Sequence, residues 1–221
     1  MESLSTYVER HELDKLLSPD LMESMHTLHR EAGELLIRAG DPVRDLMFFV
    51  EGRAKVYSIL DNGSSLLARF YVPFDVLGDV ELFSLDTYML NVEALTETVC
   101  LCVPAEAIRR AATRNTALLI YLCGRLGRKL RDFNVSASVN LRYPVENRLA
   151  SYLLAVTGDS VDKCLATENL GELADILGTS YRQLTRVVRL FRDAGFLDAR
   201  RGRLRVLDRK GLEPLARDVY I

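Results

Sequence analysis

Between residues 181 and 189 the polar side chains Tyr181, Arg182, Gln183, Thr185, Arg186 and Arg189 recur at helical spacing. Leu184, Val187, Val188 and Phe191 interleave with them and form an apolar stripe on the opposite side. A face of this kind can pair with a polyanion and read hydrogen-bond acceptors, because a planar guanidinium meets two acceptors at once. Ser180 stands where a helix cap belongs, and Gln183 completes a Ser-x-x-Gln box. Upstream, Asn169 and Glu172 make a second capping pattern, and Leu170, Leu173, Ala174 and Leu177 fall on one helical face. Gly178 ends that helix, since glycine takes positive φ at little cost. Two short amphipathic helices joined by a glycine turn predict a helix-turn-helix, whose second helix enters a DNA major groove.

The residues that follow extend this pattern. Phe196 and Leu197, then Leu204, Val206 and Leu207, read as two short strands around Arg200-Arg201-Gly202-Arg203. This is the wing of a winged helix, with Arg201 and Arg203 placed to meet phosphates. From Thr179 to Lys210 ten Lys/Arg stand against three Asp/Glu, a local charge of +7 in a chain of net charge −2. Such a concentration is what a phosphate-binding face requires. Any one feature alone is more simply an arginine-rich solvated helix or an ordinary hairpin. Their conjunction favours double-stranded DNA.

Other chemistry is poorly represented. Cys100, Cys102, Cys123 and Cys164 are too few and too dispersed for a disulfide framework. Cys100 and Cys102 sit in the apolar run TVCLCVP and read as small buried hydrophobes on one strand face. His26-x-x-His29 lacks an evident third ligand, so no metal is expected. A haem held by His26, His29 or Cys100 is left open with nothing in its favour. No nucleophile elbow, phosphate loop or dinucleotide fingerprint occurs, and no enzyme or cofactor is expected. With 48% hydrophobic residues the chain can build real cores. No apolar run approaches the ~18 residues of a membrane span. The acidic, amphipathic start MESLSTYVERHELDKLL is not a secretory signal, so a cytoplasmic location is expected.

The elements that must position the arginine face follow in order. Residues 4–17 predict a short helix ending at Ser18-Pro19. From Met25 to Pro104, short apolar runs alternate with turn signals, among them Asn62-Gly63, which predicts a rolled double sheet of about eight strands. Residues 105–114 form a short helix. Asn115 caps a longer one reaching about Leu141, with Leu119, Leu122, Leu126, Leu130, Phe133, Ala137 and Leu141 along one stripe. At roughly 27 residues it spans about 40 Å. Such a stripe is longer than one small domain covers, and a twin helix in a homodimer would cover it. The roll itself could cover its first half. Leu119, Leu122, Leu126, Leu130 and Phe133 are the expected dimerisation residues. Pro144 then opens a helix over 144–157. Residues 1–140 carry net charge −5 and residues 141–221 net +3. The expected architecture is therefore α+β: a jelly-roll sensor domain over 1–114, a dimerisation helix over 115–141, and a winged helix-turn-helix over 142–221.

This order resembles the Crp/Fnr superfamily of cyclic-AMP-receptor-like and fumarate–nitrate-type regulators. The motifs that carry the resemblance are Gly33-x2-Leu36, Gly40-Asp41, Met47-Phe48-Phe49-Val50-x-Gly52, Val76-Leu77-Gly78-Asp79 and Leu173-Ala174-x3-Gly178-x-Ser180-x5-Arg186. Gly78-Asp79-Val80-Glu81-Leu82 resembles the YeiL type in particular. The resemblance implies a homodimer on a two-fold-related DNA site, with RNA polymerase as a further partner if it activates. It also implies an effector pocket near Gly78, Asp79, Tyr88, Phe133 and Asn134. The family's cyclic-nucleotide binders place a Gly-Glu-Leu at the ribose and an Arg-Ser-Ala at the phosphate. Here Gly78-Asp79-Val80 replaces the first, and no arginine lies between Arg69 and Arg109. A buried phosphate without a guanidinium is costly, so cyclic AMP is not the expected effector. The effector stays unassigned. Oxygen-sensing members carry a cysteine cluster before the roll, which this chain lacks. A cupin-type metalloenzyme needs histidines within the roll, and none follows His29. A ligand-binding module acting through a protein partner is the remaining alternative, and the arginines of the second helix and wing argue against it.

Overall fold

The run Leu46-Met47-Phe48-Phe49-Val50 is apolar at every position, the pattern of a strand buried on both faces. In the computed structural model it is the core of β3 (Asp45–Glu51). The structure describes residues 3–61, 63, 65–157, 164–166, 170–200 and 203–216, and only the backbone of 132–142 and 164–166. β3 pairs antiparallel with β8 (Thr98–Pro104) and β6 (Asp75–Leu77). β8 in turn pairs with β1 (His26–Arg30), giving the sheet order β1-β8-β3-β6. A second four-stranded sheet runs β2-β7-β4-β5, from β2 (Leu35–Ile37), β4 (Ala54–Ile59), β5 (Ser65–Tyr71) and β7 (Asn91–Ala94). These are the two sheets of a jelly roll. Cross-strand register puts Leu46 beside Val103 and Phe48 beside Leu101 on one face, and Met47 beside Cys102 and Phe49 beside Cys100 on the other. All eight are buried. Burial pushes the Cys102 thiol up to about 12 and raises that of Cys100, so both stay protonated and pack as small hydrophobes. His26 and His29 lie an odd number of residues apart on β1, hence on opposite faces. No group of three metal-ligating side chains forms among the described residues. Asn62 of the expected hairpin turn lies outside the described residues, while Gly63 takes φ +82° beside it.

The N-terminal helix differs from expectation. Only α1 (Leu4–Arg10) is α-helical, with Ser3 accepting from the Thr6 amide. Glu12 turns left-handed at φ 53°, and Leu13–Lys15 form a single 3-10 turn before α2 (Pro19–Glu23). The break lets the His11 ring stack on Phe74 at 4.5 Å between centroids, and packing won over continuous helical spacing.

α3 (Ala105–Ala112) leads to α4 (Thr116–Arg142), a helix of 27 residues as the stripe required. α5 (Val145–Thr157) follows the Pro144 break. Next come β9 (Cys164–Ala166), α6 (Leu170–Ile176), α7 (Tyr181–Asp193), β10 (Leu197–Arg200), β11 (Arg203–Val206) and α8 (Arg209–Ala216). The small sheet has the order β10-β11-β9. Residues 1–56 with 71–132 form one compact unit, and residues 57–70 with 133–221 form a second. No helix among the described residues is long and apolar enough to cross a membrane.

Candidate nucleic-acid interface and effector pocket

α7 is built to show one face. Leu184, Val187, Val188 and Phe191 are buried at 0–6% exposure, and the residues between them face outward. Tyr181, Arg182, Gln183, Arg186 and Arg189 are exposed and Thr185 is half-buried, so one helical face carries the whole expected set. Ser180 caps the helix by accepting from the Gln183 amide at 3.2 Å. The reciprocal half of the expected box is absent: the Gln183 side chain instead accepts from the Thr179 hydroxyl at 2.8 Å. The Thr185 hydroxyl donates to the Tyr181 carbonyl at 2.7 Å, which holds its polar atom on its own helix. Arg186 comes within 3.7 Å of a Glu146 carboxylate oxygen while remaining 71% exposed. A solvated pair that long is worth well under ~1 kcal/mol, so a better acceptor displaces it readily.

The turn before α7 is fixed from beneath. Gly178 takes φ +60°, and the Thr179 amide donates back to the Ala174 carbonyl at 2.9 Å. Arg148, on α5 and 6% exposed, donates from Nη1 to the Leu177 carbonyl and, at 3.3 Å, to that of Gly178. A cation thus meets the carbonyl end of α6, where the helix dipole is negative. Helical periodicity missed Arg148, because an arginine within an apolar run reads as solvent-facing. In the structure α5 buries every position from Asn147 to Leu154, Arg148 included. α8 was missed as well, since Gly211 and Pro214 disguise its spacing. It packs on α5, and Asn147 donates to the Leu215 carbonyl at 2.6 Å.

β10 and β11 form the expected hairpin, with Leu197, Leu204 and Val206 buried and Arg203 and Arg205 exposed. Leu207 departs from the expected strand, lying beyond it at 56% exposure. Arg201, Gly202 and the Asn169 cap lie outside the described residues.

On α4 the expected seam divides. Leu122 is 2% exposed in the single chain and shares its inward face with Leu118, which is fully buried. It therefore has no surface left for a second copy, and that assignment is corrected. Leu119 and Leu130 are 37% and 63% exposed, Ile120 is 68% exposed, and Leu126 is half-buried. The Phe133 side chain lies outside the described residues.

Around the expected effector pocket, Gly78 takes φ +82°, and a Cβ there would lie 2.8 Å from the Asp45 carbonyl. Tyr88 is buried beside it and donates to that carbonyl at 3.0 Å. Tyr88 also lines a cavity of about 330 Å3 between the two sheets, with His26, Arg30, Asp45 and Cys102. The Asp79 carboxylate turns elsewhere, to Lys129 on α4. The Asn134 side chain, like that of Phe133, is outside the described residues.

A jelly roll, a long helix and a winged helix-turn-helix define a class of DNA-binding regulators. The cyclic nucleotide-binding domain model matches residues 27–115, and the Crp-like helix-turn-helix domain model matches residues 147–215. The chain is 31% identical to the regulatory protein YeiL of Escherichia coli O157:H7 over 89% of its own length and 88% of the relative's. It is 26% identical to the transcriptional activator protein FnrA of Stutzerimonas stutzeri, over 83% and 78% of the two chains. A solved structure from Eubacterium rectale, described as a crp/fnr-family regulator, shares the fold with a TM-score of 0.78 at 21% identity, covering 93% of this chain and 98% of that one. The chain belongs to the Crp/Fnr family. It is a transcription regulator with a helix-turn-helix DNA-binding domain, and its relatives are regulators, not enzymes.

Proposed function

We propose that the chain acts as a homodimer on a two-fold-related DNA site, with α7 of each copy in the major groove and an effector other than cyclic AMP, if any. The observation that carries this reading is the single exposed face of α7, which presents Tyr181, Arg182, Gln183, Arg186 and Arg189 over a fully buried stripe. Arg186 makes a bidentate contact to guanine, because its fork matches the O6 and N7 acceptors. Arg182 stands where the family often has an acidic residue that accepts from cytosine, so the preferred base differs at that position. Tyr181 meets a thymine methyl or a phosphate. Arg203, and Arg201 two residues before it, touch phosphates and orient the wing without carrying sequence information. The two half-sites lie about 34 Å apart on one face of the duplex. RNA polymerase is a partner if the regulator activates, and the cytoplasm is where such a protein works.

Selection from a random DNA pool tests the reading. Arg186→Ala is expected to weaken specific binding by about 1–3 kcal/mol and to relax preference at one base pair per half-site. Selection of the same half-site with unchanged preference would remove the role given to α7.

Titration calorimetry with cyclic AMP is expected to give no binding at micromolar concentrations. The cyclic phosphate finds no arginine between Arg69 and Arg109, and the carboxylates of Asp75 and Asp79 are both buried in that stretch. A micromolar or tighter isotherm would show that the pocket accepts the nucleotide.

A further inference from the structure

Two acidic side chains are buried in the stretch from β6 to Asp79. Asp75 is 6% exposed and Asp79 is 2% exposed. An isolated buried carboxylate is very costly, so each needs a cation or a set of donors. Both cations come from α4, some fifty residues further along the chain. Arg125 pairs with Asp75 and Lys129 pairs with Asp79, with only 14% and 12% of the two basic side chains exposed. Lys129 also donates to the Val76 carbonyl at 2.6 Å and lies 5.3 Å from the centre of the Tyr71 ring. Arg125 and Lys129 are one helical turn apart and share the inward face of α4 with Leu118 and Leu122. The opposite face carries Leu119, Cys123, Gly127 and Leu130, all exposed. The ion pairs therefore fix the rotation of α4 about its own axis, and with it the face offered to a second copy.

We propose that Arg125 and Lys129 are a built-in ligand of the roll: they fill its acidic pocket and hold α4 in its docked rotation with no small molecule bound. This inference rests on the dimeric DNA-binding reading for its consequence, but not for its chemistry. The pocket is acidic, and its cations belong to the chain. An anion entering at this place would have to displace one of two carboxylates from its cation. The second oxygen of Asp79 and the Tyr121 hydroxyl are buried without a hydrogen-bond partner among the described residues, so a small hydrogen-bond donor is what could compete there for the place of Lys129.

The test uses the full chain, purified unfolded and refolded so that no host molecule remains bound. Two readouts are taken: amide hydrogen exchange across residues 116–131 without DNA, and affinity for the selected site. The refolded wild type is expected to retain slow exchange in α4 and to bind its site within about threefold of the natively purified protein. Lys129→Met strands a buried carboxylate, and should speed exchange across α4 and weaken specific binding by about tenfold or more each. Adding Asp79→Asn to it should do no further harm, because the two side chains act as one pair. Lys129→Arg, which keeps the charge, should recover most of the protection. The proposal is overturned if Lys129→Met exchanges like the wild type, if the losses in the double variant are additive, or if the refolded wild type regains slow exchange only when host extract is added. Exchange is measured without DNA, so failure of the DNA reading would appear separately, as a protected α4 in a chain that selects no site.

Discussion

Arg148→Met is expected to destabilise the unit of residues 57–70 and 133–221 by about 3 kcal/mol, because the variant leaves two carbonyls at the end of α6 without their donor at roughly 1–3 kcal/mol each. The Leu177 and Gly178 carbonyls both accept from Arg148 Nη1, and Leu177 is itself fully buried. A further few tenths of a kcal/mol go with the cation at the negative end of the α6 dipole. Methionine fills much of the same volume, so the loss reports on the polar contacts and not on a cavity. Urea denaturation of the full chain measures the effect. Arg148→Lys should recover only part of it, since one ammonium cannot reproduce the geometry of the guanidinium fork. Specific DNA binding should fall with stability, because the turn that Arg148 holds sets where α7 begins. A change within about 0.5 kcal/mol of the wild type would mean that water or neighbouring side chains satisfy those carbonyls just as well.

Leu130→Glu is the second large expected effect, and in the proposed homodimer it acts between copies. Leu130 is 63% exposed in the single chain, so the substitution costs the isolated fold about 0.5 kcal/mol or less. At a two-fold seam it brings two carboxylates together and buries them without partners. That costs several kcal/mol and should raise the dimer dissociation constant by roughly a hundredfold or more. Sedimentation of the variant should show a folded monomer. Leu122→Ala is the contrasting variant: fully buried within its own chain, it should lower folding stability by about 2–5 kcal/mol. A Leu130→Glu chain that still sediments as a tight dimer would place the seam on another face.

Much of the helix-turn-helix was legible because its determinants are local. The Ser180 cap, the Gly178 turn and the Leu184–Phe191 stripe each need only neighbours within a few residues, and all three stand where spacing puts them. The strand-rich half was legible as strands, since β3 and β8 are apolar on both faces. Contacts distant in sequence were not legible. Fifty residues separate Arg125 from Asp75 and Lys129 from Asp79, and nothing in the local pattern pairs them: the Asp79 expected to face an effector faces a lysine of the same chain. Arg148 is hidden in the same way, with its acceptors twenty-nine and thirty residues away. The α4 stripe shows the limit of periodicity: Leu119 and Leu122 share one apolar row, yet the roll claims Leu122 and leaves Leu119 exposed. Spacing identifies an apolar face but does not say which surface covers it. The helix that supplies the cations, and the carboxylates they meet, emerge only from the fold.

The division of labour along α7 bears on how such a regulator diverges. Every residue that anchors the helix (the Ser180 cap, the buried stripe, and Arg148 beneath the turn) is distinct from those on its exposed face. Arg182, Arg186 and Arg189 contribute almost nothing to holding the helix in place, and Gln183 adds one exposed hydrogen bond from Thr179. Exchanging them is close to free in folding terms, since solvent-facing substitutions of this kind change stability by about 0.5 kcal/mol or less. If this face reads the operator as proposed, base preference can change there while the packing that positions the helix is left intact.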